Sequence, residues 1–193
     1  MKNKYSQNLK VHMIIQIIFF IVLIVIDRIT KYAAVARLKG KDAFVIIKDV
    51  LEFRYLENSG AAFGIFQNMQ WMFYIITVII LAVIVFLFFR LYRKLSGYTE
   101  LADVSSDGSE SRFKPQTYRS AIFLGYMLSS LAAGAVGNMI DRIVNKYVVD
   151  FIYFRIINFP IFNFADICVT VTAILLIIFF IFIPYTSYFF SFK

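Results

Sequence analysis

Four stretches of this chain carry no charged side chain for long enough to cross a lipid bilayer. They are Val11–Ile26, Trp71–Phe89, Ser120–Ile140 and Ile167–Ile183, of 16, 19, 21 and 17 residues. A helix rises about 1.5 Å per residue, so a hydrocarbon core roughly 30 Å thick needs about 20 residues, and the two shorter runs recruit flanking positions. In lipid every backbone polar group must find its partner inside the chain, which makes such runs helices. The expected fold is an all-α integral membrane four-helix bundle, with spans over residues 11–27, 71–89, 120–140 and 166–183. Composition agrees: 61% of the 193 residues are apolar and 17% charged, more apolar surface than a single small domain can hide from water. The first run is not expected to be a cleaved leader. Asp27-Arg28-Ile29-Thr30-Lys31 follows it, where a cleavage site would have small residues.

An even number of spans puts both termini on one side with the 91–119 connection, and leaves 28–70 and 141–166 opposite. The twenty basic residues divide ten and ten between the two sides, so the positive-inside rule leaves orientation open. The net charge of +8 is scattered along the chain, which fits topology and anionic lipid headgroups and argues against a nucleic-acid partner. Within 28–70, Phe44–Ile47 is rich in β-branched residues, and Leu51, Phe53 and Tyr55 alternate with Glu52 and Arg54. Period-two alternation predicts a small sheet on the membrane surface. It leads into Asn58-Ser59-Gly60-Ala61-Ala62-Phe63-Gly64, whose small residues allow close backbone approach and read most simply as a tight turn. The third span, with Gly125, Ser129, Ser130, Ala132, Ala133, Gly134, Ala135 and Gly137, is expected at the centre of the bundle, because small residues let helices pack in lipid. The stretch 96–111 holds Ser, Gly, Asp and Glu without Lys or Arg and reads as a solvated, flexible link.

One histidine, His12, and one cysteine, Cys168, exclude a disulfide framework and a Cys/His metal site, so no metal and no cofactor are expected. Chemistry falls to carboxylates, and those at membrane depth are costly and usually functional. Four stand at span ends: Asp27, Asp141, Asp150 and Asp166. Asp27 lies one helical turn before Lys31, the spacing of a simple ion pair. Asp141 closes Gly137-Asn138-Met139-Ile140-Asp141-Arg142, in which Asn138 and Arg142 share a helix face, as a structural network or an orienting shell. Asp150 and Asp166 sit in apolar sequence, and Asn158-Phe159-Pro160 between them interrupts regular structure, which permits the chain to double back. Two carboxyls brought together in a poorly solvated site share a proton and can activate water, the chemistry of aspartic proteases. The competing account makes Asp166 a helix cap and pairs Asp150 with Arg142 or Lys146. Spacing alone leaves both open.

Taken together, Asp27-Arg28-Ile29-Thr30-Lys31, Asn58 to Gly64, Gly137 to Arg142, Val149-Asp150-Phe151 and Phe162-Asn163-Phe164-Ala165-Asp166 resemble the blocks of the lipoprotein signal peptidase (signal peptidase II) family, in order, over roughly Ile14 to Ile183. The resemblance implies a bacterial inner-membrane aspartic endopeptidase that removes signal peptides from prolipoproteins, cutting just before a diacylglyceryl-modified cysteine. It implies Asp150 and Asp166 as the catalytic pair. Asn58, Asn138, Arg142 and Asn163 would hold substrate and orient the pair, with Asp27, Lys31, Gly60, Asp141 and Ala165 in support. It also implies cytoplasmic termini, 28–70 as the extracytoplasmic segment, a site near the outer leaflet, prolipoprotein and lipid as partners, and a monomer. The 91–119 connection, expected in the cytoplasm, is longer and more acidic than the short link usual in the family. Two other classes compete: a small four-span transporter or channel, which needs an ionisable residue deep in a span, and a structural membrane protein, in which the two aspartates are only caps.

Overall fold

The four apolar runs fold as helices α1 (Lys4–Leu38), α2 (Gln70–Val104), α3 (Pro115–Asn145) and α4 (Phe164–Phe182). A computed structural model describes residues 4–60, 69–104 and 115–182. Three strands, β1 (Phe44–Ile47), β2 (Leu51–Asn58) and β3 (Val148–Phe154), form one antiparallel sheet in the order β1-β2-β3. The expected β-containing segment supplies β1 and β2. The third strand was not foreseen. Its residues Val148 to Phe151 are buried on both faces, so it lacks the alternation that marks a half-exposed strand. A turn of 3-10 helix at Arg155–Ile157 then brings the chain back toward the bundle and into α4.

Helices α1 and α2 extend furthest beyond their apolar runs, for one physical reason. Beyond residue 27, α1 continues to Leu38, so the segment expected to leave the membrane at 28 begins as helix. It does so because the polar residues there, Asp27 and Lys31, face inward and are buried at 1% and 2% exposure. On α2, Ile84, Leu91 and Leu95 make a buried stripe while Arg93 stays exposed, so the helix passes residue 89 and takes in the first part of the acidic link. The remainder of that link, 105–111, and Ala61 to Gly64 of the small-residue motif lie outside the described residues.

Helix α3 is the centre of the bundle. In its most apolar eighteen-residue window 56% is buried, against 11%, 6% and 22% for α1, α2 and α4. Leu124, Met127 and Leu128 of α3 pack with Ile84, Leu91 and Phe179 in the main apolar cluster. The small residues make this closeness possible. A Cβ on Gly134 would stand 2.5 Å from the Ala165 carbonyl oxygen, and one on Gly137 would stand 2.8 Å from Asp27 Oδ2. A buried amide between the helices, toward the end of the bundle away from the sheet, is satisfied: Gln16 donates to the Ile122 carbonyl at 3.0 Å and accepts from the Tyr92 hydroxyl. The second, smaller cluster (Ala34, Val149, Phe151) fastens β3 to α1.

Candidate active site

All the polar positions singled out in the sequence gather where the sheet meets α1, α3 and α4. Strand β3 delivers Asp150. Side chains alternate along a strand, so with Val149 and Phe151 packed toward α1, Asp150 projects the other way. Its register partner is Leu56, and Asn58 stands diagonally across the pair of strands. Asn58 donates to Asp150 Oδ2 at 2.8 Å, and Asn163 donates to Oδ1 at 2.6 Å. Asp166 comes from the first turn of α4. Its Oδ2 accepts the Asn163 backbone N–H at 3.0 Å while Asn163 Oδ1 accepts the Asp166 N–H at 3.1 Å, a reciprocal cap that starts the helix. The other oxygen, Oδ1, accepts from Asn138 at 2.7 Å, and Asn163 donates to Asn138 Oδ1 at 3.1 Å.

Asp150 and Asp166 therefore line one cavity of about 560 Å³ together with Asn58, Asn138 and Arg142, with Phe159 and Val171 among its apolar walls. The helix-cap account of Asp166 is correct for one oxygen and incomplete for the other. The ion-pair account of Asp150 fails: two amides hold it, and Lys146 instead donates to the Ile143 carbonyl at 3.2 Å. Burial pushes the Asp150 carboxyl up to about 7, helped by the neighbouring charge of Asp166 and opposed by the amides of Asn58 and Asn163.

A second layer stands behind this pair. Asp141 Oδ2 accepts the backbone N–H of Val149 at 3.1 Å, and Asp27 Oδ1 accepts that of Ala165 at 3.1 Å. Each carboxylate thus grips the residue just before one of the cavity aspartates. Arg28 bridges the two, at 2.6 Å to Asp141 and 2.5 Å to Asp27, and donates to the Gly137 carbonyl at 2.8 Å. Lys31 bridges them again at 3.0 and 3.2 Å and reaches Asn138 Oδ1 at 2.8 Å. Arg28, within the Asp27 to Lys31 motif, is a member of this layer that the motif alone does not single out. An arginine between a span-end Asp and its i+4 Lys is the signal that would have found it.

The guanidinium carbon of Arg142 stands over the Phe73 ring, 4.3 Å from its centre, and Arg142 donates to the Gly60 carbonyl at 3.3 Å. Gly60 N–H in turn donates to Asn58 Oδ1 at 3.0 Å, closing a small Asx turn at the end of β2. The Arg142 Nε is buried without a hydrogen-bond partner among the described residues. Tyr74, which donates to the Arg142 carbonyl at 2.8 Å, and Phe73 were not foreseen, because nothing in an apolar run distinguishes an aromatic that supports an arginine from one that faces lipid. Among the described residues no cluster of His, Cys, Asp and Glu is arranged to hold a metal ion.

A multi-pass membrane bundle whose sheet and helix ends bring two carboxylates, Asp150 buried and Asp166 half-buried, to one largely apolar cavity defines the class: a membrane-embedded hydrolase. The model of the family described as signal peptidase (SPase) II matches residues 19–105 and 112–182, and the chain belongs to that family. It is similar to the lipoprotein signal peptidase of Clostridium tetani (strain Massachusetts / E88), 38% identical over 169 residues that cover 86% of this chain and 92% of the relative. The lipoprotein signal peptidase of Clostridium novyi (strain NT) is 35% identical over 167 residues, 85% and 95% of the two chains. A solved bacterial membrane enzyme, determined by the in meso method at 2.3 Å resolution, matches with a TM-score of 0.64 at 32% identity, covering 86% of this chain and 87% of that one. The expected family and the four-helix fold with its small sheet are thus borne out, and the chain is a membrane peptidase.

Proposed function

We propose that this peptidase removes the signal peptide from prolipoproteins, cutting just before a cysteine that carries diacylglycerol, with Asp150 and Asp166 as the pair that activates water. The convergence of these two carboxylates on one largely apolar cavity carries the reading. One carboxylate, ionised, takes a proton from water as its oxygen adds to the scissile carbonyl carbon. The other, protonated, supplies the proton the amine needs as the carbon–nitrogen bond breaks. Asp150 is suited to hold that proton near neutrality, since burial raises its carboxyl to about 7. Asn58, Asn138 and Asn163 keep the pair aimed, and the Nε of Arg142, which has no partner among the described residues, is a donor for the substrate carbonyl as charge develops on it. The apolar walls suit the hydrophobic stem of a signal peptide and acyl chains that stay in lipid. In this reading the protein sits in the bacterial inner membrane as a monomer with both termini in the cytoplasm and the site near the outer leaflet.

A transporter would need a titratable track across the bilayer, whereas the polar side chains buried between the spans among the described residues, Gln16, Ser129 and Thr172, are neutral. The deciding assay is cleavage by the purified chain of a prolipoprotein whose cysteine carries diacylglycerol, beside the same substrate unmodified. The expected result is cleavage of the lipidated form alone, abolished in D150N and D166N. Equal cleavage of both forms would remove the lipid specificity, and comparable turnover in either variant would remove the pair.

A further inference from the structure

A second large cavity lies behind the sheet, on the side away from Asp150. Because side chains alternate along β3, Phe151 points opposite to Asp150 and helps line a space of about 520 Å³ between the end of α1 and the sheet. Phe44 and Phe53 complete an aromatic wall, with Phe53 edge-on to Phe151 at 5.9 Å. Three exposed charged residues line it as well: Arg37, Lys41 and Asp42.

The depth of this cavity follows from α1. Between Lys10 and Arg37 every exposed residue of the helix is uncharged, because Asp27 and Lys31 are buried and Arg28 is half-buried against them. Those 27 positions span about 40 Å of helix, the thickness of a bilayer with its headgroups. Lys10 and Arg37 therefore mark the two headgroup layers, and the cavity opens at the second. There the nearby Lys39 is neutralised by Glu57 at 2.7 Å, whereas Arg37 and Lys41 have no side-chain partner among the described residues. The apolar wall runs on into β1, a strand exposed along its whole length, with Phe44 at 61% and Ile47 at 54%. An apolar strand beside unpaired cations at headgroup depth matches the two halves of a lipid.

We propose that this cavity is a binding site for an anionic glycerophospholipid. The phosphate lies between Arg37 and Lys41, Asp42 accepts from a headgroup hydroxyl, and the glycerol and first methylenes rest on Phe44 and Phe53. Two cations against one carboxylate leave a single positive charge, which favours a lipid of charge −1 over a zwitterion. The occupant touches Phe151, the residue next to Asp150, so it braces the strand that carries that carboxylate from behind.

The test uses the full chain in neutral detergent, with lipid binding followed by native mass spectrometry and by thermal unfolding. Phosphatidylglycerol is expected to bind and raise Tm where phosphatidylcholine does not. The double variant R37Q/K41Q is expected to lose about 30-fold in phosphatidylglycerol affinity, and each single variant, should the double not fold, about fivefold. K48Q/R54Q removes the same charge from exposed positions of the sheet segment outside the cavity and is expected to bind as the parent does. Equal loss in K48Q/R54Q would mean diffuse surface attraction and overturn the site, as would equal binding of phosphatidylcholine. Displacement of the lipid by inorganic phosphate alone would assign the cavity to a soluble anion and overturn the lipid.

Discussion

The two oxygens of Asp166 have different duties, and the difference can be measured. One closes the reciprocal cap with Asn163 and the other faces Asn138 and the cavity. D166N keeps an oxygen for the Asn163 N–H, so it is expected to unfold close to the parent temperature while losing turnover. D166A loses the cap too and is expected to be about 1 kcal/mol less stable, which differential thermal unfolding would resolve. Asp150 sets the pH behaviour. Its carboxyl is raised from 3.8 to about 7, so the folded chain binds that proton more tightly than the unfolded chain. Stability therefore falls as pH rises through this interval, and D150N, having no such proton, is expected to show a flatter Tm against pH. With Asp150 as the proton donor, turnover is expected to decline as pH rises through about 7. N58A removes a hydrogen bond that favours the charged form, so its decline is expected at higher pH; a profile that does not move, or moves down, would count against the assignment. The span-end aspartates were legible in the sequence because charge next to a long apolar run is conspicuous. Their division of labour was not, since it depends on which oxygen each neighbour meets.

At the scale of elements, α1 acts as the back plate of the site. Asp27 and Asp141 hold the N–H groups of Ala165 and Val149, so Arg28 and Lys31, by joining the two carboxylates, fix α4 relative to β3. R28Q is expected to cost about 3 kcal/mol, toward the low end for breaking a buried pair because Lys31 still faces both carboxylates. Its kcat is expected to fall at least tenfold with little change in KM, and R28K to recover part of it; these are marks of a positioning residue, since mere loss of folded protein would leave kcat per folded molecule unchanged. Close packing of α3 on α4 has its own test. A side chain at Gly134 meets the Ala165 carbonyl and Val169, so G134V is expected to lose about 1–3 kcal/mol from overpacking, read by thermal unfolding. Elements were legible where their pattern was exposed to one solvent at a time. Strand β3, covered on both faces, and the extra turns of α2, where Arg93 shares a helix with buried Leu91 and Leu95, gave mixed signals that only tertiary packing resolves.

Over the whole molecule the polar machinery is confined to one end. Arg142 stands about 40 Å along α3 from Pro115, so the 105–111 stretch attaches to the opposite end of the bundle. Shortening it is expected to leave kcat and KM unchanged in correctly inserted protein, and loss of turnover would give that stretch a part in catalysis. The four spans and the central place of α3 could be read from charge-free runs and small residues. The meeting of Asp150 with Asp166 rested on resemblance, because fifteen residues separate them, with a 3-10 turn and an irregular stretch at 158–163 among them, and no local rule fixes how such a connection returns. The layer behind the pair has one further consequence. Arg28, Lys31 and Arg142 face the four carboxylates of Asp27, Asp141, Asp150 and Asp166, so this cluster reaches electroneutrality with one proton on the carboxylates. A weakly hydrated site penalises any net charge. The proposed water activation by a carboxylate pair calls for one acid and one base, and the count of arginines and lysines around the pair matches that stoichiometry.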